Sequence, residues 1–274
     1  MTQGQQDELS TRYKCIIKTF DPASPSLQSA IARRPALAVN LAKLWLDQLF
    51  PEFDVIIFLD ADTWVQDWRA IHLLAGAAEE GALAVVPSWN RYRGVIAPIM
   101  WVFGFWPQVR TFNIKAAYLA GLSWKIQKQI SLRGDLNAGV YALKRDAIHW
   151  DRMRHWQEII LKRGRPFTSD GLAMALATHV DGCPLQLMPA FCNFVEPWLY
   201  DTEKKALVDV YFPHDPVGIV HLANQKTIRF DRHAQIPVPC TDGATRHLNI
   251  RYGLLPGHVG FEDDSLVPDV GDAA

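Results

Sequence analysis

The chain is short of the features that most quickly assign a class. It holds four cysteines, Cys15, Cys183, Cys192 and Cys240, and no two of them stand in a Cys-x-x-Cys pair. A redox or thiolate-metal motif is therefore excluded, and the cysteines read as reduced packing residues of a cytosolic protein. Neither sign of charge is in excess: 28 Lys and Arg face 29 Asp and Glu, a formal net charge of −1. That balance gives no electrostatic argument for nucleic acid, and none is expected as a partner. No apolar run reaches the ~20 residues of a membrane span. The opening MTQGQQDELSTRY is polar and has no apolar signal core. No internal repeat is visible.

What is present is a length of 274 residues with 49% hydrophobic content, enough for a sizeable core. Apolar β-favouring runs alternate with stretches of helical spacing. Strands are predicted at Tyr13–Phe20, at Val55–Leu59, at 82–86, 136–143, 185–188 and 218–222. Helices are predicted at 35–49, 68–80, 107–122, from Asp146 to about Lys162, and at 169–180. This alternation predicts an α/β fold with a mostly parallel central sheet flanked by helices. Residues 1–11 are expected to be disordered, 12–255 to form a single domain, and 256–274 to be a flexible tail.

The stretch Phe53–Trp68, FDVIIFLDADTWVQDW, carries most of the chemical information. An apolar strand stops at Asp60 and Asp62, with small Ala61 between them. Open α/β sheets place ligands at the carboxyl ends of their strands. If the backbone stays extended, both carboxylates project to one side. Carboxylates so close repel unless a cation lies between them, and a hard divalent ion bridging a diphosphate meets that need. The bland alternative is a solvated turn, with Asp67 capping the next helix.

Three further pieces bear polar groups at strand or helix ends. Asp135 and Asn137, before Ala138 and Gly139, offer acceptors and an amide for sugar hydroxyls; a turn entering a strand is the competing reading. Ser169-Asp170-Gly171 reads as a helix start. His221 ends an apolar strand, with Lys226 and Arg229 downstream, a pairing that suits metal and phosphate. The near-apolar segment 95–106, VIAPIMWVFGFW, reads as core or as the wall of an acceptor pocket. Weak association with a membrane surface is its secondary use.

Taken in order, these pieces resemble the glycosyltransferases of family 8, a GT-A (Rossmann-like) group that includes glycogenin and bacterial lipooligosaccharide galactosyltransferases. The resemblance spans roughly residues 36–230 and rests on ALAVNLAKLWLDQLFPEFDVIIFLDADTWVQDWRAIHLL, NAGVYAL, TSDGLAMALA and HLANQK. It implies a retaining hexosyltransferase that uses a nucleotide-diphosphate sugar, often UDP-linked, with Mn²⁺ or Mg²⁺. Asp60, Asp62 and His221 would hold the metal. Lys43, Asp60, Ala61, Asp62 and Lys226 would bind the donor, with Lys226 on the phosphates. Asp135, Asn137 and Asp170 would hold the donor sugar, with Asp170 near the reacting carbon. The acceptor would be a saccharide or lipid-linked glycan, and the location cytoplasmic, peripheral to the inner membrane face.

The chain departs from the family pattern in places. Only 59 residues precede Asp60, so one βα unit of the nucleotide-binding half is expected to be missing or heavily rebuilt. Gly171 stands where the family has glutamine, and Asn224 where it has glycine. These departures motivate a second reading, a non-catalytic scaffold of the same fold. A third is a phosphatase of the haloacid dehalogenase type, which also begins with Asp-x-Asp. That type wants Thr or Val two residues after the second Asp, and Trp64 takes that place here.

Overall fold

The computed structural model of the chain describes residues 3–35, 37–88, 99–102, 105–109 and 111–256. Helix α1 (Gln3–Tyr13) buries no residue. Contacts four residues apart support it: Gln3 donates to Asp7 at 2.9 Å, and Arg12 lies 3.8 Å from Glu8. Such pairs favour a helix even without packing, so a helix stands where the sequence suggested disorder. The strand expected at Tyr13–Phe20 does not form. Tyr13 belongs to the helix, and Lys14 turns the chain with φ 53°.

Helix α2 (Pro25–Arg33) starts on Pro25, whose fixed φ suits a first turn, and buries Leu27 and Ala30. Helix α3 (Leu37–Ala42), a 3₁₀ turn at Lys43–Trp45 and α4 (Leu46–Leu49) occupy the span read as one helix. The tighter turn leaves Lys43 and Leu44 both buried. Strands β1 (Val55–Leu59) and β2 (Thr63–Val65) precede α5 (Arg69–Glu79), which buries Ala70, Leu74 and Ala78 at a spacing of four. Asp67 accepts the Arg69 N–H at 2.9 Å, the capping role anticipated for it. Gly81, at φ 80°, closes that helix before β3 (Leu83–Pro87).

Strands β4 (Ile99–Val102) and β5 (Trp106–Val109) pair antiparallel where a helix from Pro107 was expected. Helix α6 (Phe112–Leu119) begins only after Thr111, whose hydroxyl accepts the Ile114 N–H at 3.2 Å. Of the segment 95–106, read as core, acceptor-pocket wall or membrane-facing surface, residues 95–98, 103 and 104 lie outside the described residues. Helix α7 (Trp124–Ile130) and strand β6 (Leu136–Lys144) follow. Helix α8 (His149–Leu161) buries the stripe Trp150, Met153, Trp156 and Ile160. It starts beyond Asp146, which lies 4.0 Å from Lys144 instead of capping it. The remainder is α9 (Ser169–His179), β7 (Leu185–Leu187), β8 (Leu199–Asp201), β9 (Ala206–Val208), β10 (Ile219–His221), α10 (Lys226–Phe230), β11 (Ile236–Pro239) and β12 (Thr245–Leu248).

The central sheet has the order β1-β6-β3-β7. Strands β1, β3 and β7 point one way and β6 runs against its two neighbours. The fold is mixed α/β with helices on both faces. Alternation along β6 divides the core. Tyr141 and Leu143 face α8 and α9 with Leu83 and Val85, while Val140 and Ala142 face α5 with Ala84 and Val86. Among the described residues strand β1 is an edge: it pairs with β6 alone. A separate apolar cluster gathers Trp64, Tyr200, Leu207, Val220, Val238, Ile250 and Leu255 around the pair β2–β10. Cys183, Cys192 and Cys240 are buried, Cys15 is exposed, and all are free. Among the described residues no helix is long and apolar enough to cross a membrane.

Candidate metal centre

The site is built where β1 ends. Asp60 donates its N–H to the carbonyl of Gly139 on β6 at 2.8 Å, which fixes the strand end. The backbone then turns sharply instead of staying extended. Thr63 N–H and Thr63 Oγ1 both donate to the Asp60 carbonyl, at 3.0 and 2.7 Å. The two carboxylates therefore meet by means of a turn, not by strand alternation. After the turn, β2 pairs with β10 and sets Thr63 opposite His221. The Leu222 N–H donates to the Asp62 carbonyl at 2.9 Å and locks the two segments together.

This arrangement brings one ligand atom each from Asp60, Asp62 and His221 within 4.8 Å of one another. Ligands of one divalent ion are spaced by roughly 3–5 Å. His221 is oriented for that task. Its Nδ1–H donates to Asn193 Oδ1 at 2.8 Å, and Asn193 is almost wholly buried. That leaves Nε2 as the nitrogen that would face a metal, and it lies 3.4 Å from Asp62 Oδ1. Ligating histidines are held in this way by a partner on the other ring nitrogen. Gly139 makes room: a Cβ there would lie 2.4 Å from His221 Cε1 and 2.9 Å from Asp60 Oδ2. Two carboxylates with one imidazole are a donor set that could hold a divalent cation.

Lys43 stands behind the pair. Only 3% exposed, its ammonium lies 2.9 Å from Asp60 and 3.2 Å from Asp170. Its Nζ also sits 4.9 Å from the centre of the Phe58 ring, and its carbonyl accepts the Tyr141 hydroxyl. Burial works against the ammonium, but Asp170 and Asp60 outweigh it and raise the Lys43 pKa. Burial pushes the Asp60 carboxyl above its ordinary value despite Lys43. Burial also pushes on Asp62, but His221 and then Arg229 more than offset it and hold that carboxyl low. Two neighbouring carboxylates are thus driven apart in acidity.

These groups line a cavity of about 860 Å³. Lys43, Asp170, Asn137, Asp135 and Ser88 form part of its wall, and Phe112 and Phe167 lie there too. Arg229, Arg232, Arg251 and Tyr252 form another part. Arg229 Nε reaches Asp62 Oδ2 at 2.9 Å.

No protein-family model matches the chain, and no curated protein does. Among solved structures, the chain is similar to mouse xyloside xylosyltransferase 1 in its apo form. The identity is 15%, the match covers 81% of this chain and 73% of that one, and the TM-score is 0.38. So distant a likeness assigns no activity, and the chemistry of the site has to come from its own geometry.

Most residues singled out from the sequence come together here. Asp60, Ala61, Asp62, Lys43, Asp135, Asn137, Asp170 and His221 all line the one cavity. Lys226 does not: it is exposed on the first turn of α10, and Arg229, one turn later, faces the cavity instead. Gly171 lines the cavity as well, and a Cβ there would approach the Leu136 carbonyl to 3.1 Å. Sequence reasoning missed Asn193, Arg232, Arg251 and Tyr252. Only the count of basic residues after His221 could have hinted at the arginines.

Proposed function

We propose that the protein is a metal-dependent glycosyltransferase of family-8 type, moving a sugar from a nucleotide-diphosphate donor, a UDP-sugar in the first instance, to a glycan or cell-envelope acceptor with retention. The observation that carries this reading is the meeting of Asp60, Asp62 and His221 in a cavity that is also lined by Asp135, Asp170 and three arginines. Asp60, Asp62 and His221 would hold Mn²⁺ or Mg²⁺. When bound, that ion would supply Lewis-acid stabilisation to the departing diphosphate.

The chain's own residues do the rest. Arg229, already against Asp62, supplies a fixed positive charge for a phosphate oxygen, the role first assigned to Lys226. Asp170, Asn137 and Asp135 accept or donate hydrogen bonds to sugar hydroxyls. Lys43 holds the Asp170 and Asp60 carboxylates in place so that neither has to reorganise as the sugar carbon gains positive character. The reaction breaks the bond from the anomeric carbon to the diphosphate oxygen and forms one to an acceptor oxygen, whose proton is released. A cytoplasmic protein peripheral to a membrane face is the setting we infer for a lipid-linked acceptor.

Thermal unfolding tests the reading. Uridine and guanosine diphosphates and their sugar conjugates are added with and without Mn²⁺ to wild type and to Asp62→Asn. A metal-dependent rise in Tm for one nucleotide, lost in the variant, is the expected result. No shift with any of them would favour a non-catalytic scaffold, the reading that Gly171 suggested.

A further inference from the structure

The cavity wall beside Asp62 comes from an unexpected part of the chain. Strand β1 is the edge of the sheet, so among the described residues the sheet offers no neighbour beyond the strand that carries Asp60. The segment Asn249–Pro256 packs beside the turn that follows that strand, against Trp64 of β2. Ile250 and Leu255 are both buried in the apolar cluster around β2–β10, and they clamp the residues between them. The Ile250 carbonyl accepts the indole N–H of Trp64 at 3.0 Å, two residues after Asp62. Gly253 turns the chain with φ 74°. Arg251, Tyr252 and Leu254 then line the cavity.

The segment is tied to α10 as well. Arg251 donates from Nε to the Ile228 carbonyl and from Nη2 to the Arg229 carbonyl, each at 2.7 Å. Asn249 donates to the carbonyl of Arg232. Arg229 itself ends on Asp62. Arg251 thus ties α10, whose Arg229 reaches Asp62, to the segment that carries the Tyr252 ring. That ring is half exposed, and it is backed by the Trp64 indole with centroids 6.0 Å apart.

We propose that this wall is the nucleoside subsite: Arg229, with Arg232 and Arg251 nearby, receives the diphosphate, and the Tyr252 ring stacks on the base. The inference rests on the donor reading above and deepens it. A diphosphate held beside Asp62 and Arg229 has two ends. The sugar end belongs with Asp170, Asn137 and Asp135, where the hydroxyl-binding groups are. The nucleoside end then continues along the arginines, where an aromatic face meets the flat surface of a base and a guanidinium can stack beside it. The acceptor must approach the sugar carbon and so belongs to the other end.

Isothermal titration with uridine and guanosine diphosphates, and separately with inorganic pyrophosphate, all with Mn²⁺, tests the assignment. Wild type, Tyr252→Ala and Tyr252→Phe are compared. The expected result is a roughly 10-fold weaker nucleotide affinity in Tyr252→Ala, near-normal affinity in Tyr252→Phe, and unchanged pyrophosphate affinity in both. Unchanged pyrophosphate binding also reports that the variant is folded. If wild type binds a nucleotide and Tyr252→Ala binds it equally well, the subsite is overturned while the donor reading stands. The same holds if nucleotide and pyrophosphate weaken together. If wild type binds no nucleotide, the donor reading fails and the subsite with it.

Discussion

Lys43 decides how the two acidic groups nearest it behave. A buried ammonium between Asp60 and Asp170 is stabilising only as long as both charges are present. Removing one member of a buried pair leaves an uncompensated charge, so Lys43→Met should cost about 3 kcal/mol near neutral pH. The pH dependence has two limbs. The raised lysine pKa means that its contribution is complete below the unfolded lysine value and is lost only as pH rises through the folded value. On the acid side, the raised pKa of Asp60 lets that group take up a proton early, which relieves the variant. The difference in Tm between wild type and Lys43→Met should therefore be largest at intermediate pH and shrink at both ends. A difference that stays flat from acid to alkali would show that Lys43 acts by packing and not by charge. Asp60, Asp62 and His221 were legible in the sequence because a short apolar strand announces the position of each. Asn193 was not, since nothing local distinguishes it and the contact that matters spans 28 residues.

The cradle for His221 depends on three elements meeting: β1 through Asp60, β10 through His221, and β6 through Gly139. A methyl group at position 139 would overlap His221 Cε1 and press on Asp60 Oδ2, and β6 cannot retreat because it is paired on both sides. Gly139→Ala should weaken Mn²⁺ binding by roughly 10- to 100-fold through misplacement of the ligands. Overpacking should also cost about 1–3 kcal/mol of stability. Manganese titration followed by electron paramagnetic resonance measures the first effect and denaturant unfolding the second. Normal Mn²⁺ affinity in a folded variant would mean that His221 is not a ligand. Elements of this size were read with unequal success. The helices around α5, α8 and α9 have enough turns for their apolar spacing to be unmistakable. The short strands β4 and β5 carry too few residues to overrule the helical look of the residues after Pro107, and only their mutual pairing reveals them.

Ligand binding should register across the fold in a pattern that no single segment predicts. The stretches distant in sequence that converge on the cavity include the turn after β1, the Gly139 region of β6, β10 with α10, and the segment around Tyr252. That convergence was not legible beforehand, because the Trp64–Ile250 bond closes a separation of 186 residues and leaves no periodic trace in the sequence. Amide hydrogen exchange reads it directly. In the free protein β6 should exchange slowest, since it is paired on both sides and buried along most of its length, and α1, which buries nothing, should exchange fastest. Adding Mn²⁺ with the nucleoside diphosphate that raises Tm should slow exchange at 60–63, 219–222, 226–232 and 249–254 together, and leave α1 unchanged. A ligand that protects only 60–63 and 219–222 would be holding the ion without its nucleoside against the Tyr252 wall. Protection spread evenly over the chain would instead report general stabilisation, with no contact at the cavity to account for it.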